Sequence, residues 1–267
     1  MFIYMGIINS IKKIFEKQLK IDWDSYINKT FVLHLPERKD RRRRLRRQLK
    51  AVKLSTGTLL DRVYWLEGTT SVDKNLSIHQ PLYSFNYHWQ IDPDENLRFM
   101  LDENPTIYCS MPEQAIAHSH YHILKHIVDN KIPVSLIMED DVVLKYGFQK
   151  DIKSIFEKEL PEDWDLLYLS SQPAWSGWKW EPYSENLDRV YNGIWWMSGY
   201  VITYEGAKKL LENLPIIGPV DVWINHQFKH LKVYMTSDNI IDQRQNNFRE
   251  WSDNRYSFPE TFDYFEV

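Results

Sequence analysis

Apolar and polar positions along the chain fall into short apolar runs that alternate with longer stretches of helical spacing. Phe31-Val-Leu-His-Leu35 is an apolar run closed by Pro36, which predicts a buried strand. Asp40 to Leu54 follows with Leu45, Leu49 and Val52 at helical spacing, and Val63-Tyr-Trp-Leu66 reads as a second strand before Gly68. Strand, helix and strand in that order predict a parallel βαβ unit. Further helices are predicted over Glu113–Val128, Phe148–Leu160, Tyr204–Leu214 and Pro219–His230. Further strands are predicted over Pro133–Met138, Asp165–Leu169, Gly199–Thr203 and Leu231–Tyr234. Residues 69–110 are polar, aromatic and rich in Asn, Asp and Pro, so a long functional loop or insertion is expected there. Residues 172–198 read as a second loop region. The expectation is one α/β domain over residues 29–245, with an N-terminal segment 1–28 and a polar tail 246–267.

Composition narrows the classes. At 267 residues and 43% apolar, the chain can bury a sizeable core, and disorder is excluded as its general state. No apolar run is long enough to predict a membrane-spanning helix. A single cysteine, Cys109, excludes an intramolecular disulfide framework and a Cys-rich zinc module, and it fits a reducing compartment. Residues 1–20 lack a charged start and a small-residue cleavage site, so a cleaved signal peptide is not expected. They do pattern as a short basic amphipathic helix, with Lys12, Lys13, Lys17 and Lys20 among Ile8, Ile11, Ile14, Phe15 and Leu19. Such a helix either packs on the domain or docks at an anionic membrane surface. The expected setting is cytoplasmic, with peripheral membrane contact in the second case.

The sharpest chemical signal is Glu139-Asp140-Asp141 at the end of an apolar strand. Adjacent carboxylates repel unless a cation or hydrogen-bond donors neutralise them, and hard oxygen ligands suit Mg²⁺ or Mn²⁺. Strand ends are also where open α/β sheets bind substrates. A turn or a helix N-terminus rich in acids is the plainer reading. The Arg/Lys run from Arg38 to Lys50 is either a solvated helix face or an anion site at its first one or two arginines. A nucleic-acid surface is disfavoured by the net charge of −4 and by confinement of the basic cluster to one helix. His118 and His122, and likewise His226 and His230, stand one helical turn apart as zinc ligands can, but also as core histidines do. Asp221 follows Gly218-Pro219-Val220, where a carboxylate either caps a helix or faces a cleft as a base. Nucleophile elbows, dinucleotide loops and phosphate loops are absent from the sequence.

Taken in order, these motifs resemble the family-25 glycosyltransferases, which include bacterial lipooligosaccharide galactosyltransferases and collagen hydroxylysine galactosyltransferases. The resemblance is carried by Phe31-Val-Leu-His-Leu-Pro-Glu-Arg-Lys-Asp-Arg41, Glu113-Gln-Ala-Ile-Ala-His-Ser-His120 and Ile132-Pro-Val-Ser-Leu-Ile-Met-Glu-Asp-Asp-Val142. It continues in Trp164–Leu169, Gly199–Ala207 with Lys209-Leu-Leu211, and Pro219-Val-Asp221. His34 and Pro36 depart from that family's usual Asn and Asp.

The resemblance implies a GT-A fold, a Rossmann-like mixed sheet with flanking helices. It implies an inverting transfer of a hexose, galactose above all, from a UDP-sugar to a glycan, lipooligosaccharide or glycoprotein hydroxyl. Glu139, Asp140 and Asp141 would hold Mn²⁺ or Mg²⁺, and Asp221 would be the catalytic base. Leu33, His34, Leu35, Arg38, Arg41, Glu113, Ser119, His120 and Asp140 would line the donor site. Trp175, Trp178, Trp195 and Trp196 would meet the acceptor. The alternatives are a non-catalytic nucleotide-sugar or glycan-binding protein on the same fold, and a metal-dependent hydrolase using the same acids.

Overall fold

The computed structural model describes residues 21–70, 83–84, 86–88, 106–108, 111–173 and 179–243. Segment 1–20, Cys109, Trp175, Trp178 and the tail 246–267 lie outside the described residues, as does most of 69–110.

The chain runs β1 (Lys29–His34), α1 (Lys39–Ala51), β2 (Val63–Glu67), α2 (Met111–Asp129), β3 (Val134–Glu139) and β4 (Val142–Leu144). It continues through α3 (Phe148–Lys158), β5 (Leu166–Tyr168), β6 (Lys179–Pro182), β7 (Leu187–Asn192) and β8 (Gly199–Thr203). The last elements are α4 (Tyr204–Glu212), α5 (Val220–Gln227), β9 (Val233–Thr236) and β10 (Ile241–Gln243). Eight strands form one mixed sheet in the order β6-β7-β9-β5-β8-β3-β1-β2. The predicted βαβ unit is present: β1 pairs in parallel with β2 on one side and β3 on the other. Strand β8 runs antiparallel between β3 and β5, and β5 pairs in parallel with β9. The carboxyl ends of β1, β2, β3, β5 and β9 therefore share one edge of the sheet.

Both faces of the central strands are buried, and those strands alternate between them as their pleat requires. Phe31, Leu33 and Ile137 pack with α2, α4 and α5 in one layer, around Ile123, Leu210 and Trp223. Val32, Leu136 and Met138 pack in the other against Leu45 and Leu49 of α1 and Ile152 of α3. Trp23 and Ile27 are buried in that second layer, so the expected boundary at residue 29 falls inside packed structure. This is the single-domain α/β architecture that the hydrophobic pattern predicts.

Three local differences have clear causes. Residues 172–198 do not form one loop: β6 and β7 extend the sheet, and Ile194–Trp195 pairs with Gln172–Pro173. These strands were hidden because Leu187 and Val190, the buried apolar residues of β7, are three positions apart on opposite faces, so no period-2 alternation shows, and β6 is exposed throughout. Within 69–110, Asn86–His88 pairs with Thr106–Tyr108, and Tyr83–Ser84 joins Ile216–Ile217. The last predicted strand is displaced to Val233–Thr236, because Phe228–His230 tightens into a 3₁₀ turn.

A close backbone approach fixes Gly206 in the first turn of α4. A Cβ there would lie 2.5 Å from the Asp165 carbonyl oxygen. Asp165 itself is buried and ties three pieces together. It accepts from Lys209 Nζ at 2.8 and 2.7 Å and from the Lys232 backbone N–H at 2.8 Å. The family-like Trp164-Asp165 and Lys209 thus meet as a structural clasp, remote in sequence and adjacent in space.

Candidate active site

At the carboxyl end of β3 the chain turns at Asp140-Asp141 before β4 begins. Strand β1 ends beside it, since Leu33 pairs with Glu139. The Leu35 backbone N–H donates to Asp140 Oδ2 at 3.2 Å. Arg41, from the first turns of α1, reaches back so that one guanidinium nitrogen lies 3.5 Å from Asp140 Oδ1 and 3.5 Å from Asp141 Oδ2. Gln243 Nε2 on β10 donates to Asp141 Oδ2 at 3.5 Å. The turn is further held by Gln48 of α1, whose amide donates to the Val142 carbonyl at 3.1 Å and accepts from the Leu144 N–H at 2.9 Å.

This corner is short of positive charge. Burial is the main cause that pushes Asp141 up to about 7, with the Glu139 carboxylate adding to it and Arg41 opposing it. Asp140 is raised for the same first reason, with Arg41 and the Leu35 N–H pulling the other way. Asp141 Oδ1 is buried and has no hydrogen-bond partner. Among the described residues no group of three or more His, Cys, Asp and Glu side chains is arranged to hold a metal ion. The three acids do not converge: Asp140 and Asp141 share Arg41, while Glu139 faces a buried histidine. A hard divalent cation often takes only one or two protein carboxylates and completes its shell with substrate phosphates and water. The unpartnered Asp141 oxygen fits that smaller role.

That histidine is His120, fully buried in α2. Its Nδ1 is 2.9 Å from the Tyr200 hydroxyl on β8, and its Nε2 is 3.8 Å from Glu139 Oε1. An Nε2–H turned toward a carboxylate is favourable and a lone pair is not, so Tyr200 donates to Nδ1 and Nε2 carries the proton. Nε2 has no hydrogen-bond partner of its own. Neighbouring Ser119 donates to the Ala115 carbonyl at 2.8 Å and accepts from the Thr69 N–H at 2.9 Å, which brings the end of β2 to the same place. Thr69 also bonds His118 Nδ1 at 2.6 Å, and His118 Nε2 lies 3.1 Å from His122 Nε2.

The other expected residues distribute as follows. Leu33 and His34 are buried at the end of β1, and His34 packs edge-on to Trp65 with its Nδ1 unpartnered. Arg38 caps α1 and donates to Asp40 at 3.3 Å. Glu113 stands in the first turn of α2. Asp221 opens α5, and its Oδ1 accepts from the Val222 N–H at 2.9 Å. Burial raises its pKa first, opposed by that N–H, and the charges of Glu113 and Glu139 raise it further. Asp221 therefore shares the electric field of the β3 corner, 82 positions away in sequence. Trp195 is half-buried in its short strand, and Trp196 is half-buried in the left-handed region at φ 75°. Gln48, Gln243 and Thr69 carry no sequence signal that marks them, because each acts through long-range contacts; Tyr200 lies in the family-like Gly199–Ala207 run, but nothing in that run points to its contact with His120.

The acid corner thus sits at the edge where the carboxyl ends of the parallel strands meet, with the half-buried Asp221 within reach of its charge. Residues 27–179 match the family described as Glycosyltransferase family 25 (LPS biosynthesis protein), and the chain belongs to that family. Procollagen galactosyltransferase 1-A of Xenopus laevis is 27% identical over 203 residues, covering 74% of this chain and 30% of that protein. Procollagen galactosyltransferase 2 of Homo sapiens is 27% identical over 79% of this chain and 32% of that protein. The procollagen lysyl hydroxylase and glycosyltransferase of Acanthamoeba polyphaga mimivirus is 28% identical over 70% of this chain and 20% of that protein. The chain thus spans a third or less of the length of these relatives.

Proposed function

We propose that this protein transfers galactose from UDP-galactose to a hydroxyl of a glycan, lipooligosaccharide or glycoprotein, with inversion at the anomeric carbon and with bound Mn²⁺ or Mg²⁺. The observation that carries the reading is the corner at Asp140-Asp141, buried, short of positive charge and set at the carboxyl end of β3 beside the end of β1. Membership of the family supports sugar transfer, and the relatives' names favour galactose.

In this reading Asp141 and Asp140 hold the ion, with Glu139 beside them. When bound, the ion offsets charge that develops on the departing nucleoside diphosphate. Arg41 and Arg38, at the start of α1, bind diphosphate oxygens, aided by the N–H groups of that helix end. Leu33, His34 and Leu35 line the nucleotide side of the cleft. Ser119 and His120, with Glu113 at the start of their helix, border the sugar. Asp221 takes the proton of the acceptor hydroxyl as it attacks; its raised pKa makes it a stronger base than an ordinary carboxylate. Trp195 and Trp196, with Trp175 and Trp178 from outside the described residues, present rings for the acceptor's C–H faces. No helix among the described residues is long and apolar enough to cross a membrane. The reading keeps a cytoplasmic setting, as one cysteine suggests.

The test is a panel of UDP-sugars with Mn²⁺, read as release of UDP with and without acceptor. Acceptor-dependent release from UDP-galactose is expected. Release that ignores acceptor would favour a hydrolase, and donor binding without release would favour a binding protein.

A further inference from the structure

The 13 residues of α1 hold eight Lys and Arg against a single acid, Asp40, a charge of +7. The whole chain carries −4, so everything outside α1 carries −11. At 3.6 residues per turn, Lys39, Arg42, Arg43, Arg46, Arg47 and Lys50 fall within about 140° of one another around the helix. Five of the six are exposed and Arg42 is half-buried. Leu45 and Leu49 lie beyond Arg42 on one flank of this face and are fully buried, while Arg41 and Gln48 stand opposite it. Asp40 lies on the flank, where it is paired with Arg38 and Arg44, so the cationic face contains no acid. Arg42 and Arg46 lie over the ring of Trp65 on edge strand β2, with guanidinium carbons 5.1 and 6.0 Å from its centroid. The face is a straight stripe about 16 Å long.

We propose that this face of α1 docks the protein on an anionic lipid bilayer. Charge complementarity gives the class of partner, and the net −11 of the rest of the chain favours poses that turn α1 toward an anionic surface. A planar surface needs only one face of a protein. A nucleic-acid strand needs a cationic track and rings free for stacking, whereas the Trp65 ring is already covered by arginine. The chain also enters the domain beside this helix: the Ser55 N–H, just past the end of α1, donates to the Ile21 carbonyl at 2.8 Å. The sequence that leads into Ile21 is the basic, amphipathic stretch with Lys12, Lys13, Lys17 and Lys20. Peripheral anchoring strengthens when two membrane signals combine, and this chain carries both a cationic stripe and, in its sequence, such a stretch. This inference does not depend on the transfer reaction.

The experiment is co-sedimentation of the full chain with vesicles of phosphatidylcholine alone and of phosphatidylcholine with one part in three phosphatidylglycerol. Binding is expected only to the second, weakening steeply with added salt. Each basic residue at an anionic surface is worth about fivefold in affinity. The triple variant Arg43→Ser, Arg47→Ser, Lys50→Ser should therefore lose on the order of a hundredfold. Its melting temperature should be unchanged, because these side chains are exposed. A variant with Arg43→Lys and Arg47→Lys keeps the charge and should bind like the parent. Equal binding to both vesicles, undiminished binding by the triple variant, or loss of binding only when the four lysines before Ile21 are replaced would overturn the proposal. So would tighter binding to duplex DNA or RNA than to the anionic vesicles.

Discussion

The Tyr200 hydroxyl donates to His120 Nδ1 at 2.9 Å, across 80 positions of sequence and wholly inside the protein. Burial, with the Glu139 charge second, raises the pKa of that phenol, so it stays protonated and keeps donating. The bond fixes which nitrogen of His120 faces Glu139. Tyr200→Phe should leave the fold intact at a cost of about 1–2 kcal/mol. It should raise the donor KM about tenfold with a smaller effect on kcat, because a freed imidazole no longer holds its proton toward the cleft. Steady-state kinetics at varied donor decide it: an unchanged donor KM removes Tyr200 from the site.

The stability of the protein should depend on pH through Asp141. Its carboxyl titrates at about 7 in the folded chain and near 4 when unfolded. Between those values the native state holds a proton that the unfolded state has released, so stability falls as pH rises from about 4 to about 7. Asp140 and Asp221 shift in the same direction and add to the fall. With chelator present, wild-type protein should melt lower at about pH 8 than at about pH 5, and Asp141→Asn should flatten part of that slope. A wild-type-minus-variant difference that stays constant with pH would contradict the assignment. Mn²⁺ at the higher pH should restore stability to wild type and not to Asp141→Asn.

Asp221→Asn keeps the shape at the start of α5 and removes the base. Turnover should drop by about 10²–10⁴, with donor binding nearly unchanged. Asp140→Ala or Asp141→Ala should instead abolish metal-dependent transfer while the chain still folds. Turnover of Asp221→Asn near wild type would send the search for a base elsewhere, and full activity of the acid variants in EDTA would end the metal role.

Gly206→Ala tests a packing constraint away from the chemistry. The new methyl would sit 2.5 Å from the Asp165 carbonyl, a contact that forces α4 away from β5. A loss of about 1–3 kcal/mol is expected, measured by denaturant unfolding. No loss would mean that the helix can shift freely.

The order of strands and helices, the parallel βαβ start and the acid corner were all legible, because apolar runs and period-2 alternation report burial directly. Strands β6 and β7 were not. They extend the sheet at its outer edge, where Lys179, Glu181 and Asp188 interleave with few apolar residues and the pattern resembles a loop. The acids were visible as a cluster, but their division was not. Sequence adjacency cannot show that Arg41 arrives between Asp140 and Asp141, or that Glu139 turns toward His120. Asp165 and Lys209 show the opposite case: both lie in family-like motifs, and both hold the fold together rather than line the cleft.

Helix α1 touches the acid corner twice, through Arg41 at Asp140 and Asp141 and through Gln48 on either side of the chain after it. Its outward side is the cationic stripe. One rigid rod of 13 residues therefore has its back on the surface and its two polar teeth in the site. Free-energy linkage makes any such coupling reciprocal. Whatever presses on the stripe hard enough to move the rod changes the grip on Asp141, and whatever fills the cleft alters the pose of the stripe by the same free energy.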